Sequence, residues 1–168
     1  MGVKSFFEEV KAKVSPSRLF KALITESHDV IPKVTTSIKS VVTIEGDSLT
    51  PGCIRQTNFP EGNIVIIQLS SAQLKYVKHR IDAIDTENYV CKYTLVEGDI
   101  LGDKLEKICY EIKFEASEEG CNIKLTSEYH TKGDFVINDE EIKAGKEQAL
   151  GLYKACEEYL IANPHVCA

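Results

Sequence analysis

The chain has 168 residues, a hydrophobic fraction of 43%, a charged fraction of 27% and a formal net charge of −6, values that describe one ordinary globular domain with a single sizeable core. A pI near 5.3 and the lack of any Lys/Arg run disfavour nucleic-acid binding through a broad basic surface. Apolar stretches fall far short of the ~18 residues a membrane span needs, and Met1 to Val10 mixes charges with aromatics where a secretory signal would have an apolar run.

Without such a signal, the six cysteines (Cys53, Cys91, Cys109, Cys121, Cys156, Cys167) read as reduced cytosolic thiols, several of them core fillers. No CxxC pair occurs and no histidine stands at ligand spacing from a cysteine, so neither a metal nor a cofactor is expected. The predicted location is cytoplasmic, extending to the nucleus. No repeat, low-complexity tract or linker divides residues 1–168, which read as a single domain.

Val3 to Val14 reads as a strand. Ser15-Pro16 then gives a helix start, with Ser15 able to cap and Pro16 at the first helical position. Leu19, Phe20, Leu23 and Ile24 follow at helical spacing, and a second short helical turn is predicted to end at Pro32.

From Ile38 to Tyr129 the pattern becomes period-two alternation. Clusters such as Gly46-Asp47, Pro51-Gly52, Pro60-Glu61-Gly62 and Glu118 to Gly120 break it into antiparallel hairpins. Alternation assigns Val77, His79, Ile81 and Ala83 to one face, with Cys91, Tyr93 and Leu95. Ile108, Tyr110, Ile112 and Phe114 join them, as do Ile123, Leu125, Ser127 and Tyr129. The opposite face takes Lys78, Arg80, Lys92, Glu111, Lys113, Lys124 and Glu128. The inward set mixes hydrocarbon with phenols, a thiol, a hydroxyl and an imidazole, which suits a cavity with a few polar anchors. A plain core whose tyrosines reach the rim fits the alternation equally well.

Roughly Asp139 to Ala162 reads as a helix, capped by Asn138 or Asp139 and stopped by Asn163-Pro164. Ile142, Ala149, Leu152, Tyr153, Cys156, Tyr159 and Leu160 form one stripe. Gly145 and Gln148 fall on or beside it, where a helix built only to pack would carry larger apolar residues. Of the histidines, His28, His130 and His165 are expected on loops or helix ends, and His79 is the one placed to make binding pH-sensitive.

Several words of the sequence now acquire weight together: Arg18-Leu19-Phe20-Lys21-Ala22, Tyr93-Thr94-Leu95-Val96-Glu97-Gly98, Leu105-Glu106-Lys107-Ile108, Tyr129-His130-Thr131-Lys132-Gly133-Asp134 and Glu158-Tyr159-Leu160. In this order they resemble the class-10 pathogenesis-related proteins of plants, the family of the birch major pollen allergen, within the START-like ligand-binding superfamily. The resemblance covers nearly the whole chain. It implies an α+β helix-grip fold: a seven-stranded curved antiparallel sheet around a long C-terminal helix, two short helices and an internal cavity.

The function it implies is intracellular binding or storage of apolar plant molecules: hormones such as abscisic acid, cytokinins or brassinosteroid-like sterols, flavonoids and fatty acids. A link to defence and stress comes with it. The implied ligand-binding set is Leu23, Ile24, Ile31, Ile38, Thr57, Phe59, Val77, His79, Cys91, Tyr93, Leu95, Tyr110, Ile112, Ile142, Gly145 and Gln148. The partner is therefore an apolar small molecule, with no membrane. A protein phosphatase enters only by distant analogy with hormone receptors. An alternative ribonuclease activity, as reported for some relatives, would fall to Arg55, Glu106, Glu157 and Tyr159. Relatives that condense alkaloid precursors keep a lysine and an acid in the cavity. Here Lys124 alternates outward and no carboxylate is expected inward, so no enzyme is predicted.

Two departures from the family pattern stand out. The loop Glu45 to Gly52 replaces the glycine-rich run of the family and lacks the Gly-Lys-Ser/Thr of a phosphate loop. Between Gly62 and Lys75 stands an apolar insert, residues 63–74, where the family turns tightly. Such a run lengthens the hairpin, caps the cavity mouth, or exposes an edge that favours weak self-association; a shifted exon junction near Gly62 is a further source.

Overall fold

The computed structural model describes residues 2–60, 64–67, 70–73, 75–98, 100–137 and 139–168. For residues 64–67, 70–73, 139–142, 144, 145 and 148 it describes the backbone alone. The chain opens with β1 (Val3–Ala12), α1 (Pro16–Phe20), a π-helical turn (Lys21–Thr25) and α2 (Ser27–Val34). Strands β2 (Ser40–Glu45), β3 (Ile54–Asn58), β4 (Ile64–Ile67), β5 (Ser70–Gln73), β6 (Tyr76–Asp85), β7 (Val90–Gly98), β8 (Leu105–Ala116) and β9 (Cys121–Thr131) follow, and α3 (Asp139–Ala162) ends the fold.

Seven strands form one antiparallel sheet in the order β1-β9-β8-β7-β6-β3-β2. Its pairing slips at Thr43/Glu45, Lys78/His79, Ile81/Ala83 and Leu105/Lys107. Each slip is an extra residue that bends the strand and raises its twist, so the sheet curls instead of lying flat. α3 lays Tyr153, Cys156 and Leu160 onto the concave side, in one cluster with Phe20, Ile112, Phe114, Ile123 and Leu125. The convex side is polar, as in the register pair Lys92 and Glu111, whose Nζ and Oε2 lie 3.5 Å apart. Exposed pairs of this kind contribute little stability.

Hydrogen bonds tie the C-terminal half of α3 to the first twenty residues. The Arg18 guanidinium donates to the carbonyls of Leu160 (3.1 Å), Asn163 (3.1 Å) and Val166 (2.7 Å), a cation on the negative end of a helix. One turn earlier, Glu157 Oε2 accepts the Lys13 backbone N–H at 2.6 Å. The β8–β9 turn passes close to this corner. Gly120 has φ +151°, and a Cβ there would sit 2.7 Å from the Ala12 carbonyl oxygen, so only glycine fits without displacing backbone.

Several expectations need correction. Ala83 is exposed, not inward, because the slip between Ile81 and Ala83 breaks the alternation, and Ile84 takes the inward place. α2 runs two residues past Pro32. The proline lacks an N–H, but with one turn remaining the loss is a single bond, and Thr35 N still closes the end on Ile31 O at 3.1 Å. Ser15 makes no side-chain cap. His130 lies within β9 on the convex face, with Nε2 3.7 Å from Cys109 Sγ, not on a loop. His28 sits in α2. All six thiols are free. In the insert, β4 and β5 pair with each other among the described residues, and the described β3–β6 ladder runs to Asn58 and Tyr76.

Candidate functional site

Between the concave sheet face, the α1–α2 segment and α3 lies a cavity of about 320 Å³, within the size range of small-molecule sites. Strand register builds its polar floor one residue at a time. Arg55 of β3 stands opposite His79 of β6, Tyr93 of β7 opposite Tyr110 of β8, Tyr110 opposite Ser127 of β9, and Ser127 opposite Phe6 of β1. The result is a row across the strands that steps diagonally between β6 and β7, since His79 pairs with Leu95 and Tyr93 with Ile81. Arg55, His79, Tyr93 and Tyr110 border the cavity, whereas Ser127 and Phe6 are not on its wall. His79 meets Tyr93 edge-on (centroids 5.4 Å apart, 81° between planes) and Tyr110 at 6.2 Å. The two tyrosine rings stack at 5.0 Å and 22°. Offset stacks and edge contacts of this kind hold rings in fixed orientations.

Leu23, Ile24 and Ile31 of the helical segment, Ile38, Thr57 and Phe59, and Val77, His79, Cys91, Tyr93, Tyr110 and Ile112 all border this cavity. Leu95 does not. It stands beside Ile108, one step past the tyrosine row, and packs with Val77, Leu101, Leu105 and Ile137 in a second apolar cluster. The side chains of Ile142, Gly145 and Gln148 lie outside the described residues, as does Asn138. Ser27, Val41, Arg55, Ile81, Leu125, Ala149, Leu152 and Tyr153 complete the wall. Most of these follow from the same alternation and helical stripe; Arg55 shares the period-two face of Thr57 and Phe59, a signal that was there to be used.

Burial sets the protonation of this wall. It holds the Tyr93 and Tyr110 phenols well above their usual range and pushes the Cys91 thiol up to about 12. His79 is lowered to about 4, first by desolvation and then by the Arg55 charge. Its ring is half-buried by accessible area because it borders the cavity. The imidazole, phenols and thiol are thus all neutral at pH 7, and the one cation among them is Arg55. Arg55 is 9% exposed and Ser27 2%. Nη1 donates to Ile24 O at 2.9 Å, Nη2 donates to Ser27 Oγ, and that hydroxyl donates to Ile24 O at 3.0 Å. The arrangement can bind and orient a guest; a protonated thiol with a neutral imidazole supplies no activated nucleophile.

The alternative ribonuclease set does not converge. Arg55 is in the cavity. Glu106 is exposed at the slip that opens β8, whereas Glu157 is buried against Lys13. Leu105 pairs with Thr131 at one end of β8 and Ala116 with Cys121 at the other, which separates these acids by about 30 Å at the usual rise per strand residue. Tyr159 packs partly buried beside the main core. Lys124 faces outward onto Glu115 at 2.7 Å. The expectation that no carboxylate faces inward fails at Glu8. Lys4, Phe6, Glu8 and Val10 share one side of β1, and desolvation raises the Glu8 carboxyl. Glu8 is absent from the cavity wall. Among the described residues, no group of His, Cys, Asp and Glu could hold a metal ion, and no helix is long and apolar enough to cross a membrane.

Comparison with known proteins gives one consistent outcome. The profile of the Pathogenesis-related protein Bet v 1 family matches residues 1–163. Pathogenesis-related protein STH-2 of Solanum tuberosum is 46% identical over 169 aligned residues, covering 100% of both chains. Major allergen Mal d 1 of Malus domestica is 46% identical, covering 98% of each. Among solved structures, Ara h 8.0201 superposes with a TM-score of 0.81 at 34% identity, covering 96% of this chain and 100% of its own. Norcoclaurine synthase from Thalictrum flavum, at a TM-score of 0.70 and 19% identity over 95% of this chain and 87% of its own, shares the fold.

Proposed function

Because the chain belongs to the Pathogenesis-related protein Bet v 1 family, we propose that it is a binding and storage protein for apolar small molecules, acting in the cytoplasm in defence and stress, and not an enzyme. The observation that carries this reading is the cavity itself: about 320 Å³ bordered by hydrocarbon and by a fixed row of neutral rings. A structural core of this size would close on itself, since protein interiors are packed without voids much larger than a water molecule. Tyr93, Tyr110 and His79 orient the guest through their hydroxyls and ring nitrogen, while Leu23, Ile31, Phe59 and Ile112 supply apolar contact. Plant hormones, flavonoids, sterols and fatty acids are the ligand classes in view.

Enclosing about 300 Å² of apolar ligand surface contributes roughly 7 kcal/mol, and association costs offset a large part of it. Micromolar, tolerant binding is the expectation. Titration of the uncharged dye Nile red, with displacement by candidate guests, tests it, alongside native mass spectrometry of protein taken from its own tissue. Absence of both dye binding and a retained guest would sink the reading.

A further inference from the structure

Among the described residues the cavity wall contains one permanent charge, and its partners do not neutralise it. Two of the five N–H donors of Arg55 go to Ile24 O and Ser27 Oγ, both uncharged acceptors. The carbonyl of Ile24 belongs to the C-terminal end of the π-helical turn, where the backbone carries only a fraction of a negative charge. Among the described residues no carboxylate comes within ion-pair distance of the guanidinium, although the convex face pairs its lysines with acids repeatedly. A tie between β3 and the helical segment needs only donors, which a neutral glutamine also has; the charge is surplus to that role. The guanidinium also borders the cavity.

We infer that the guest of this cavity carries a carboxylate head, held by Arg55 beside His79, with its apolar body along Tyr93 and Tyr110 toward Leu23 and Phe59. This rests on the cavity-binding reading above and narrows it to amphiphilic acids. A carboxylate is planar and acceptor-only, and it matches the guanidinium fork more closely than any neutral polar group. His79, directly across the strand from Arg55, adds a third donor. The anion also removes the repulsion between Arg55 and the imidazolium, so its binding draws a proton onto His79. The other titratable groups on the surrounding wall are Cys91 and Tyr93 on β7, Tyr110 on β8 and Tyr153 on α3, all of them held neutral by burial.

The test compares dodecanoate with dodecan-1-ol, equal in chain length, by calorimetric titration at pH 7 of the wild type, Arg55→Met and Arg55→Lys. The wild type should prefer the acid about tenfold or more, Arg55→Lys should keep most of that preference, and Arg55→Met should lose it while still binding the alcohol. Equal wild-type affinities, or a preference that survives Arg55→Met, overturn the assignment. Should Arg55→Met fail to fold, the wild type still decides. The NMR titration midpoint of the His79 ring should rise by about one pH unit or more with dodecanoate and stay put with dodecan-1-ol; no difference between them overturns the assignment. If dodecan-1-ol and Nile red bind but dodecanoate binds no tighter, only the carboxylate assignment fails. If none of the three binds, the cavity-binding reading fails with it.

Discussion

Replacing His79 with phenylalanine keeps a flat ring in the row and removes its titration. In the folded protein the imidazole is held down to about 4 by desolvation and by Arg55, against about 6.5 in the unfolded chain. Between those values the unfolded state binds a proton that the folded state refuses. The wild type therefore loses stability as pH falls from about 6.5 toward 4, and the loss levels off below that. A shift of this size corresponds to about 3 kcal/mol at most, and the ring's partial exposure reduces it to roughly 1–3 kcal/mol. Tyr93, Tyr110 and Cys91 stay protonated throughout this range, and the acids of the convex face titrate alike in both proteins, so the difference curve isolates His79. The chain has no tryptophan; urea unfolding followed by far-UV circular dichroism from pH 4 to 8 supplies it. The expected difference is flat above pH 7 and widens in favour of His79→Phe as pH falls. A difference independent of pH, or one that widens in the opposite direction, would refute the desolvated, neutral imidazole.

Arg18→Met removes a cation from three carbonyls at the end of α3 and should cost about 2 kcal/mol, read as a lower urea midpoint with an unchanged slope. Gly120→Ala forces a side chain into the Ala12–Lys13 backbone at φ +151° and should destabilise by about 2 kcal/mol or more, whereas Gly133→Ala, with open space around it, should cost visibly less in the same assay. Phe114→Ala empties a site packed edge-on against Phe20 at 5.8 Å and should cost about 3–5 kcal/mol. Cys109 and Cys167, partly accessible, should react with a thiol-specific disulfide reagent in the native state; Cys53, Cys91, Cys121 and Cys156, all buried, should react only on unfolding. Fast labelling of the buried four would contradict the packing.

Much of this was legible in the sequence because one face of a curved sheet and one stripe of a helix repeat at fixed periods. Alternation holds from Ile108 to Phe114 in β8 and along β9, and Cys91, Tyr93, Tyr110, Ile112 and Leu125 fall where it puts them. It misled at Ala83, where a single extra residue reverses the faces, since no composition signal marks a bulge. It also missed Glu8, because β1 alternates charged residues on both sides and hides which side is buried. Arg55 entered the sequence reading only in the alternative ribonuclease set, not among the cavity residues. Period-two alternation puts Arg55 on the face of Thr57 and Phe59, but its partners Ile24 O and Ser27 lie 31 and 28 residues away in sequence, and local pattern does not mark them. The inner helix positions 142, 145 and 148 remain expectations from spacing.

On the cavity wall, the row from Arg55 through His79 and Tyr93 to Tyr110 crosses four strands and takes one residue from each. It runs from a cation through an imidazole to two phenols, so the floor is a polarity scale laid across the strands. A single substitution alters one mark on that scale and leaves every backbone ladder intact, since the ladder bonds are made by groups that side-chain changes do not touch. Guest preference can therefore drift from one amphiphile to another by isolated replacements, each confined to its own strand, while the scaffold that measures the guest stays fixed.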